Sequence, residues 1–185
     1  ATGLAAGDPL ANDPHVWLNP RLAKEEVRIV VEAMKEIDPV NASFYESNAN
    51  SLLNKLNELD KKFQTGLADC QKKDIVTAHA AFGQLAREYG LNQTAISGLS
   101  PDEEPSPQQL AEVADFAKKN GLEYIFFESL ISPKLAETIA AEIGARTLTL
   151  NPLEGLSETE MESGKNYFME MENNLINLKI ALQCR

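Results

Sequence analysis

Several features of common protein classes are missing from this sequence. It has 17 Lys and Arg residues against 28 Asp and Glu, for a formal net charge of −11. A nucleic-acid surface needs clustered basic side chains, so this balance argues against one. No apolar run approaches the roughly 18–20 residues that a membrane helix needs. P-loop and G-x-G-x-x-G patterns are also missing, which disfavours an ATPase or a dinucleotide-binding enzyme.

The composition of the 185 residues is that of one ordinary domain, or a domain with an arm. A hydrophobic fraction of 43% and a charged fraction of 24% are typical of a globular chain with a real core. The first residues, "ATGLAAGDPLANDPH", contain neither an initiator Met nor a signal-peptide pattern. This beginning indicates a processed product or a fragment.

Cysteine is scarce, and its two positions leave two interpretations. Cys70 precedes a short apolar segment and Cys184 is next to last. Neither belongs to a C-x-x-C or C-x-x-H pattern, so a metal knuckle is disfavoured. A disulfide between them would close a loop of about 114 residues, worth about 4 kcal/mol, and would place the protein outside the cytosol. The alternative is two buried or frayed free thiols.

Helical patterns dominate the first part of the chain. Residues 1–14 lack periodicity and read as an extended lead-in. Asn19 and Pro20 are typical of an N-cap and a first helical residue, and the Asp-Pro pair at 38–39 ends that helix. A second long helix is predicted over roughly 41–68, from a stripe at Leu52, Leu53, Leu56, Leu59 and Phe63.

From residue 70 the pattern alternates between strands and helices. The predicted strands are 74–77, 93–96, "LEYIFFES" and "RTLTL", and the predicted helices are 80–89, 107–119, 133–143 and 157–182. "LEYIFFES", with Tyr124, Phe126 and Phe127, is apolar throughout and indicates a central strand buried on both faces. The sequence therefore predicts an α/β fold with a four-stranded parallel sheet flanked by helices.

Polar residues follow three of these strands at the edge where open parallel sheets bind ligands. His79 follows the first strand, Glu128 ends the third, and the loop "NPLEGL" after the fourth offers Asn151 and Glu154. His15, the other histidine, lies in "DPHVWLNP" before the first helix. Imidazole nitrogens and carboxylate oxygens suit zinc, although ligand type alone discriminates less well between zinc and manganese. For His79 alone, a helix cap or a polar pocket is the alternative.

Five segments carry a resemblance to a known family. They are "DPHVWLNP", "VTAHAAFGQLAREYGL", "SPDEEPSPQQLAEV", "YIFFESLISPKLAETIAAEIGA" and "LTLNPLEGL", in this order over roughly residues 12–185. In these segments the chain resembles the metal-binding lipoproteins of ABC importers. It is similar to the second half of a zinc/manganese solute-binding protein and is closest to the zinc-uptake branch.

The resemblance implies two α/β lobes joined by a long stiff helix, with a metal held between the lobes by four side chains. His15 and His79 match two of these ligands. Glu154 is the preferred final carboxylate, although some relatives place an Asp where this chain has Asn151. The histidine of the family's N-terminal lobe has no counterpart here, so the expectation is a C-terminal-lobe fragment with three of the four ligands.

The resemblance also implies an organisation and a role. Residues 15–69 would form the interlobe helix and a second helix, and residues 70–185 the C-terminal metal-binding lobe. The expected role is non-enzymatic: extracytoplasmic capture of Zn²⁺ and delivery to an ABC permease, with a lipid anchor in the full-length protein. The manganese branch typically has Glu at the position of His79, which favours zinc here. The Cys70–Cys184 pair matches the disulfide of some members.

Other roles and functions stay open on the sequence alone. Glu128 could orient a ligand histidine, or serve as a cap or an ion-pair partner. Trp17 is expected in the core or as a shield of the metal, and Asp13 as a turn residue rather than a ligand. The acidic run 102–104 is expected to be a solvated turn, or a patch that contacts the permease. A zinc metallohydrolase with Glu128 as general base and a surface adhesin are the alternative functions, although no H-E-x-x-H pairing supports the first.

Overall fold

After residue 70 the chain alternates strands with helices, as the sequence predicts. The computed structural model describes residue 10 and residues 12–100, 103–129, 132–156 and 158–185. The strands are β1 (Asp74–Thr77), β2 (Asn92–Ala95), β3 (Tyr124–Phe127) and β4 (Arg146–Thr149). The helices are α1 (Pro20–Ile37), α2 (Ala42–Leu67), α3 (Gly83–Glu88), α4 (Pro107–Lys119), α5 (Lys134–Ile143), α6 (Glu158–Glu162) and α7 (Tyr167–Leu182).

The local signals that predict the first helix are confirmed. The side chain of Asn19 accepts a hydrogen bond from the Arg21 N–H at 2.9 Å, and Pro20 is the first helical residue. Because Pro has no N–H and its φ suits a helix, it fits this position without cost. Gly144 ends α5 in the left-handed conformation, with φ of 73°. This conformation is one that glycine adopts readily.

The four strands form two hydrogen-bonded pairs, each of them parallel. β1 pairs with β2 and β3 pairs with β4, both in parallel register. β1 and β3 lie beside each other between these pairs. Just beyond them the His79 N–H donates to the Glu128 side chain, at 3.2 Å, rather than to a backbone carbonyl. The four predicted strands are present, and the predicted single four-stranded sheet is corrected to two parallel pairs.

Consecutive residues of the inner strands face two separate hydrophobic cores. Ile75 and Phe126 pack with residues of α2, α3 and α7. Val76 and Ile125 pack with residues of α4 and α5. This alternation follows from the two-residue period of a strand, and it gives a helix–sheet–helix arrangement. The prediction that "YIFF" is buried on both faces is confirmed for its two central residues, which are at most 1% exposed.

Two predicted helices differ from those observed. The segment 80–89 begins as a 3-10 turn over Ala80–Phe82 and becomes α-helical only in α3. The predicted helix 157–182 is two helices, α6 and α7. Gly164 between them has φ of 78°, and Asn166 then caps α7 by accepting from two backbone N–H groups. A left-handed glycine followed by a new N-cap ends one helix and begins another.

A disulfide joins Cys70, just after α2, to Cys184, just after α7. The disulfide interpretation is therefore confirmed, and the alternative of two free thiols is wrong. Most of the predicted lead-in 1–14, Asp102 of the acidic run, and Ser157 at the predicted start of the last helix lie outside the described residues. None of the helices described is long and apolar enough to cross a membrane.

Candidate metal centre

His79 is fixed where β1 ends. It is fully buried, and its backbone carbonyl accepts hydrogen bonds from Thr77 Oγ1 at 2.8 Å and Gln93 Nε2 at 3.0 Å. Its ring Nδ1 lies 2.5 Å from Oε1 of Glu128, the residue that follows β3. Glu128 is itself buried at 3% exposure, so the carboxylate and the imidazole hold each other in one orientation.

His15 is fixed in the same way by a carboxylate two residues before it. Asp13 Oδ1 accepts from the His15 N–H at 3.0 Å and lies 2.7 Å from the ring Nδ1. Both residues are buried, at 4% and 2% exposure. The expectation that Asp13 is only a turn residue is thus incomplete, because its carboxylate orients the imidazole. The Asp-x-His spacing is the sequence signal that could have identified this contact.

Glu154 reaches both imidazoles from the loop after β4. Its Oε1 lies 3.1 Å from His15 Nε2 and 3.4 Å from His79 Nε2. The side chain is 31% exposed, so this edge of the cluster faces solvent. Asn151, the other residue considered at this position, turns away. Its Oδ1 accepts from the Leu153 N–H at 2.8 Å, and its Nδ2 donates to Glu170 at 3.4 Å.

The three side chains converge on one point. One ligand atom each from His15, His79 and Glu154 lie within 4.8 Å of one another, and the two imidazole rings are 5.3 Å apart. Since a carboxylate occupies each Nδ1, the Nε2 lone pairs are the ones available to a cation. His79 Nε2 is buried and, within the part of the chain that the structure describes, accepts or donates no hydrogen bond, with the Glu154 Oε1 atom 3.4 Å away. A buried orphan nitrogen beside a carboxylate is costly unless something binds it, and a divalent cation fits this requirement.

The charges around His79 change its protonation. Burial by itself lowers the pKa of His79, because it disfavours the imidazolium. The hydrogen bond and the charge of Glu128, with a further contribution from Glu154, outweigh burial and raise the pKa above its ordinary value. In the metal-free cluster a proton on His79 is therefore favoured more than on an ordinary histidine, and it competes with a cation for the ring.

Trp17 connects the segment of His15 to the loop of Glu154. Its indole Nε1 donates to the Pro152 carbonyl at 2.8 Å, and its ring lies edge-on to His15 at 5.4 Å. The residue is half-buried and packs against the core that α2, α3 and α7 share. Both expectations for Trp17 are consistent with this position.

Comparison with known proteins places the chain in a family. Residues 3–181 match the family model of ZnuA, the periplasmic component A of the zinc-uptake complex. The chain belongs to this family. It is 46% identical over 172 residues to the high-affinity zinc uptake system protein ZnuA of Bacillus subtilis (strain 168), which covers 93% of the chain. It is 46% identical over 167 residues, 90% of the chain, to the zinc-binding lipoprotein AdcA of Streptococcus pneumoniae (strain R6).

Solved structures of the same family have the same fold. The Zn(II)-bound ZnuA-like domain of Streptococcus pneumoniae AdcA is 43% identical, with a TM-score of 0.82, over 98% of this chain and 68% of that one. The laminin-binding protein Lbp of Streptococcus pyogenes is 36% identical, with a TM-score of 0.83, over 92% and 64%. The chain spans 54% of the Bacillus ZnuA and 33% of the pneumococcal AdcA.

Proposed function

We propose that the chain is the zinc-binding part of an extracytoplasmic solute-binding protein that delivers Zn²⁺ to an ABC permease. The observation that carries this proposal is the convergence of His15, His79 and Glu154, with ligand atoms within 4.8 Å of one another. Zinc is the cargo of this site and not a catalyst. Membership in a zinc-uptake family and the zinc-bound relatives support the choice of metal.

The ligand chemistry favours zinc over harder cations. Two neutral imidazoles and one carboxylate are a common zinc set, whereas manganese and magnesium prefer oxygen donors. The Asp13 and Glu128 carboxylates lie against the Nδ1 atoms of His15 and His79 and restrict the rotation of both imidazoles. Manganese is the second cargo that these ligands accommodate.

A fourth ligand would complete a tetrahedral site. Residues 15–69 contribute His15, and the proposed lobe 70–185 contributes His79 and Glu154. The partly exposed side of Glu154 is open to a further donor. We assign that donor to another lobe of the full-length protein, in keeping with the greater length of the curated relatives.

A non-enzymatic role fits the geometry better than hydrolysis does. A zinc hydrolase would need Glu128 to activate a water molecule. In the structure Glu128 is 3% exposed, and the same carboxylate oxygen contacts both the backbone N–H and the ring Nδ1 of His79. This carboxylate is occupied in orienting a ligand. The adhesin alternative follows from the family resemblance and from the similarity to a laminin-binding protein, and we do not propose it.

An extracytoplasmic location is part of the same proposal. The Cys70–Cys184 disulfide fits an oxidising compartment. The family description is periplasmic, and the pneumococcal relative is a lipoprotein. We therefore expect the full-length protein at the periplasmic or outer surface of the membrane, beside its permease.

Calorimetric titration of metal-free protein with Zn²⁺ and Mn²⁺ tests the proposal. We expect one zinc per chain, with a dissociation constant of micromolar order because only three protein ligands are present among the described residues. His79→Ala should abolish zinc binding, and Glu154→Ala should weaken it strongly but measurably, because both imidazoles remain. Glu158→Ala, at an exposed Glu of α6, is the matched control and should bind as the parent does. Equal zinc binding by the parent and His79→Ala would refute the proposed function.

A further inference from the structure

The loop that carries Glu154 is hydrogen-bonded to α7, a helix that supplies none of the three candidate metal ligands. Asn174 lies on α7 and is 1% exposed. Its Oδ1 accepts the Asn151 N–H at 2.8 Å, and its Nδ2 donates to the Asn151 carbonyl at 2.7 Å. One side-chain amide thus satisfies both backbone groups of the residue that begins the loop.

The restraint on Asn151 affects the backbone as far as Glu154. The Asn151 side chain accepts from the Leu153 N–H at 2.8 Å. Leu153 has φ of 57°, in the left-handed region that a residue other than glycine adopts only at a cost. A conformation of this kind persists only when its surroundings enforce it. Glu154 is the next residue, so the direction of its side chain depends on Leu153 staying there.

We propose that Asn174 is a positioning residue for the metal centre. It holds Asn151, Asn151 holds Leu153 in the left-handed conformation, and this backbone points the Glu154 carboxylate at the Nε2 atoms of the two histidines. The inference rests on the proposed function, because it concerns the geometry of the same site. Asn174 itself touches no metal ligand in this chain of contacts and acts only through the loop.

A second contact from α7 supports this role. Tyr167, in the first turn of the helix, donates its hydroxyl to the Trp17 carbonyl at 2.7 Å. Trp17 in turn donates to the carbonyl of Pro152, the residue after Asn151, at 2.8 Å. The helix therefore fixes both the loop of Glu154 and the segment that follows His15.

The same helix offers a matched control. Asn177 lies three residues further along α7, and its Nδ2 donates to the Thr149 carbonyl at 2.8 Å. This bond holds the last residue of β4 and not the loop. Asn174→Leu and Asn177→Leu therefore remove the same type of side chain from the same helix. Only Asn174→Leu releases Asn151.

The first test measures zinc affinity by calorimetry. Asn174→Leu should weaken zinc binding by about tenfold or more, the usual effect of losing a group that orients a ligand. Asn177→Leu should bind as the parent does. In a Glu154→Ala background, Asn174→Leu should cause no further loss, because the two changes act through one side chain. An equal loss in both asparagine variants, or a loss that persists without Glu154, would overturn the proposal.

The second test needs no zinc. Amide hydrogen exchange of the metal-free protein, followed by NMR, should be faster at Asn151 and Leu153 in Asn174→Leu and unchanged in Asn177→Leu. Asn174→Ala replaces the leucine variant if that variant does not fold. Unchanged protection of these two amides would directly refute the proposal that Asn174 orders the loop of Glu154. A parent chain that binds no zinc would refute the proposed function, and the exchange result would still decide whether Asn174 orders the loop.

Discussion

His79 Nδ1 and Glu128 Oε1 lie 2.5 Å apart in a buried contact that joins the ends of β1 and β3. The contact places a carboxylate from one strand end behind an imidazole from the other. It leaves Nε2 of that imidazole facing Glu154 and His15. The hydrogen bond thus determines which nitrogen a cation can use.

Glu128→Gln tests this contact. The amide keeps the shape of the carboxylate but loses its charge. It therefore no longer strengthens the His79 imidazole as a zinc ligand. We expect zinc affinity to fall by about tenfold, as measured by calorimetry. Glu123→Gln, at an exposed position just before β3, is the control and should leave affinity unchanged. Parent-like zinc affinity in Glu128→Gln would show that the carboxylate does not tune the site.

The raised pKa of His79 gives a pH dependence with a defined sign. A folded-state pKa above the unfolded value of about 6.5 means that protonated His79 stabilises the metal-free protein. This stabilisation is fully present at pH values below the unfolded-state pKa and is lost as the pH rises through the folded-state pKa. Urea unfolding of the metal-free parent and of His79→Gln should be measured at pH values on both sides of these two pKa values. As the pH rises, the parent should lose stability relative to the variant. Parallel pH profiles would contradict the raised pKa.

Zinc must displace the same proton. Binding should therefore weaken as the pH falls, because protons compete for His79. Calorimetry in buffers of different ionisation enthalpy should detect proton release near neutral pH. The number of protons released per bound zinc should grow as the pH is lowered toward the unfolded-state pKa of His79. Zinc binding without proton release would mean that His79 is neutral before the metal arrives.

The disulfide should affect stability more than zinc binding. Cys70 and Cys184 close a loop with a sequence separation of 114, at the edge of the sheet opposite the metal centre. Replacing both with Ser should cost about 4 kcal/mol of unfolding free energy in the chain-entropy model, measured by urea unfolding. Zinc affinity of the still-folded variant should match that of the parent. A parallel loss of affinity would mean that the bridge also shapes the metal centre.

Trp17 is the one tryptophan in the sequence, and it should report metal binding. Its ring lies 5.4 Å from His15, so a cation at Nε2 of that histidine changes the charge beside the indole. We expect its fluorescence to change with added Zn²⁺ and to saturate at one zinc per chain. Mg²⁺ should have no effect, and His15→Ala should remove the response. An unchanged spectrum during calorimetrically verified binding would place the metal away from His15.

Local chemistry made much of the fold predictable. An N-cap followed by Pro marked the start of α1, and short apolar runs marked the strands. The parallel arrangement then placed His79 and the loop of Glu154 at one sheet edge. His15 is a candidate ligand by residue type alone, and the resemblance to importer proteins assigned it to the same site, although its distance along the chain gives no hint of contact.

Other features depend on tertiary contacts and leave little trace in the sequence. An Asn in the middle of a helix, such as Asn174, looks like any solvated polar residue until the loop it grips is known. The positive φ of Leu153 contradicts the preference of its residue type. The exposure of apolar residues on α1 is another such feature. Val30 and Ile37 are 60% and 80% exposed in the structure.

The most direct measurement is anomalous X-ray scattering at the zinc edge from crystals of the zinc-loaded chain. We expect one zinc peak about 2.0–2.2 Å from Nε2 of His15, Nε2 of His79 and a carboxylate oxygen of Glu154. A zinc bound elsewhere, or a site that uses one histidine only, would contradict the assignment of this cluster as the metal centre.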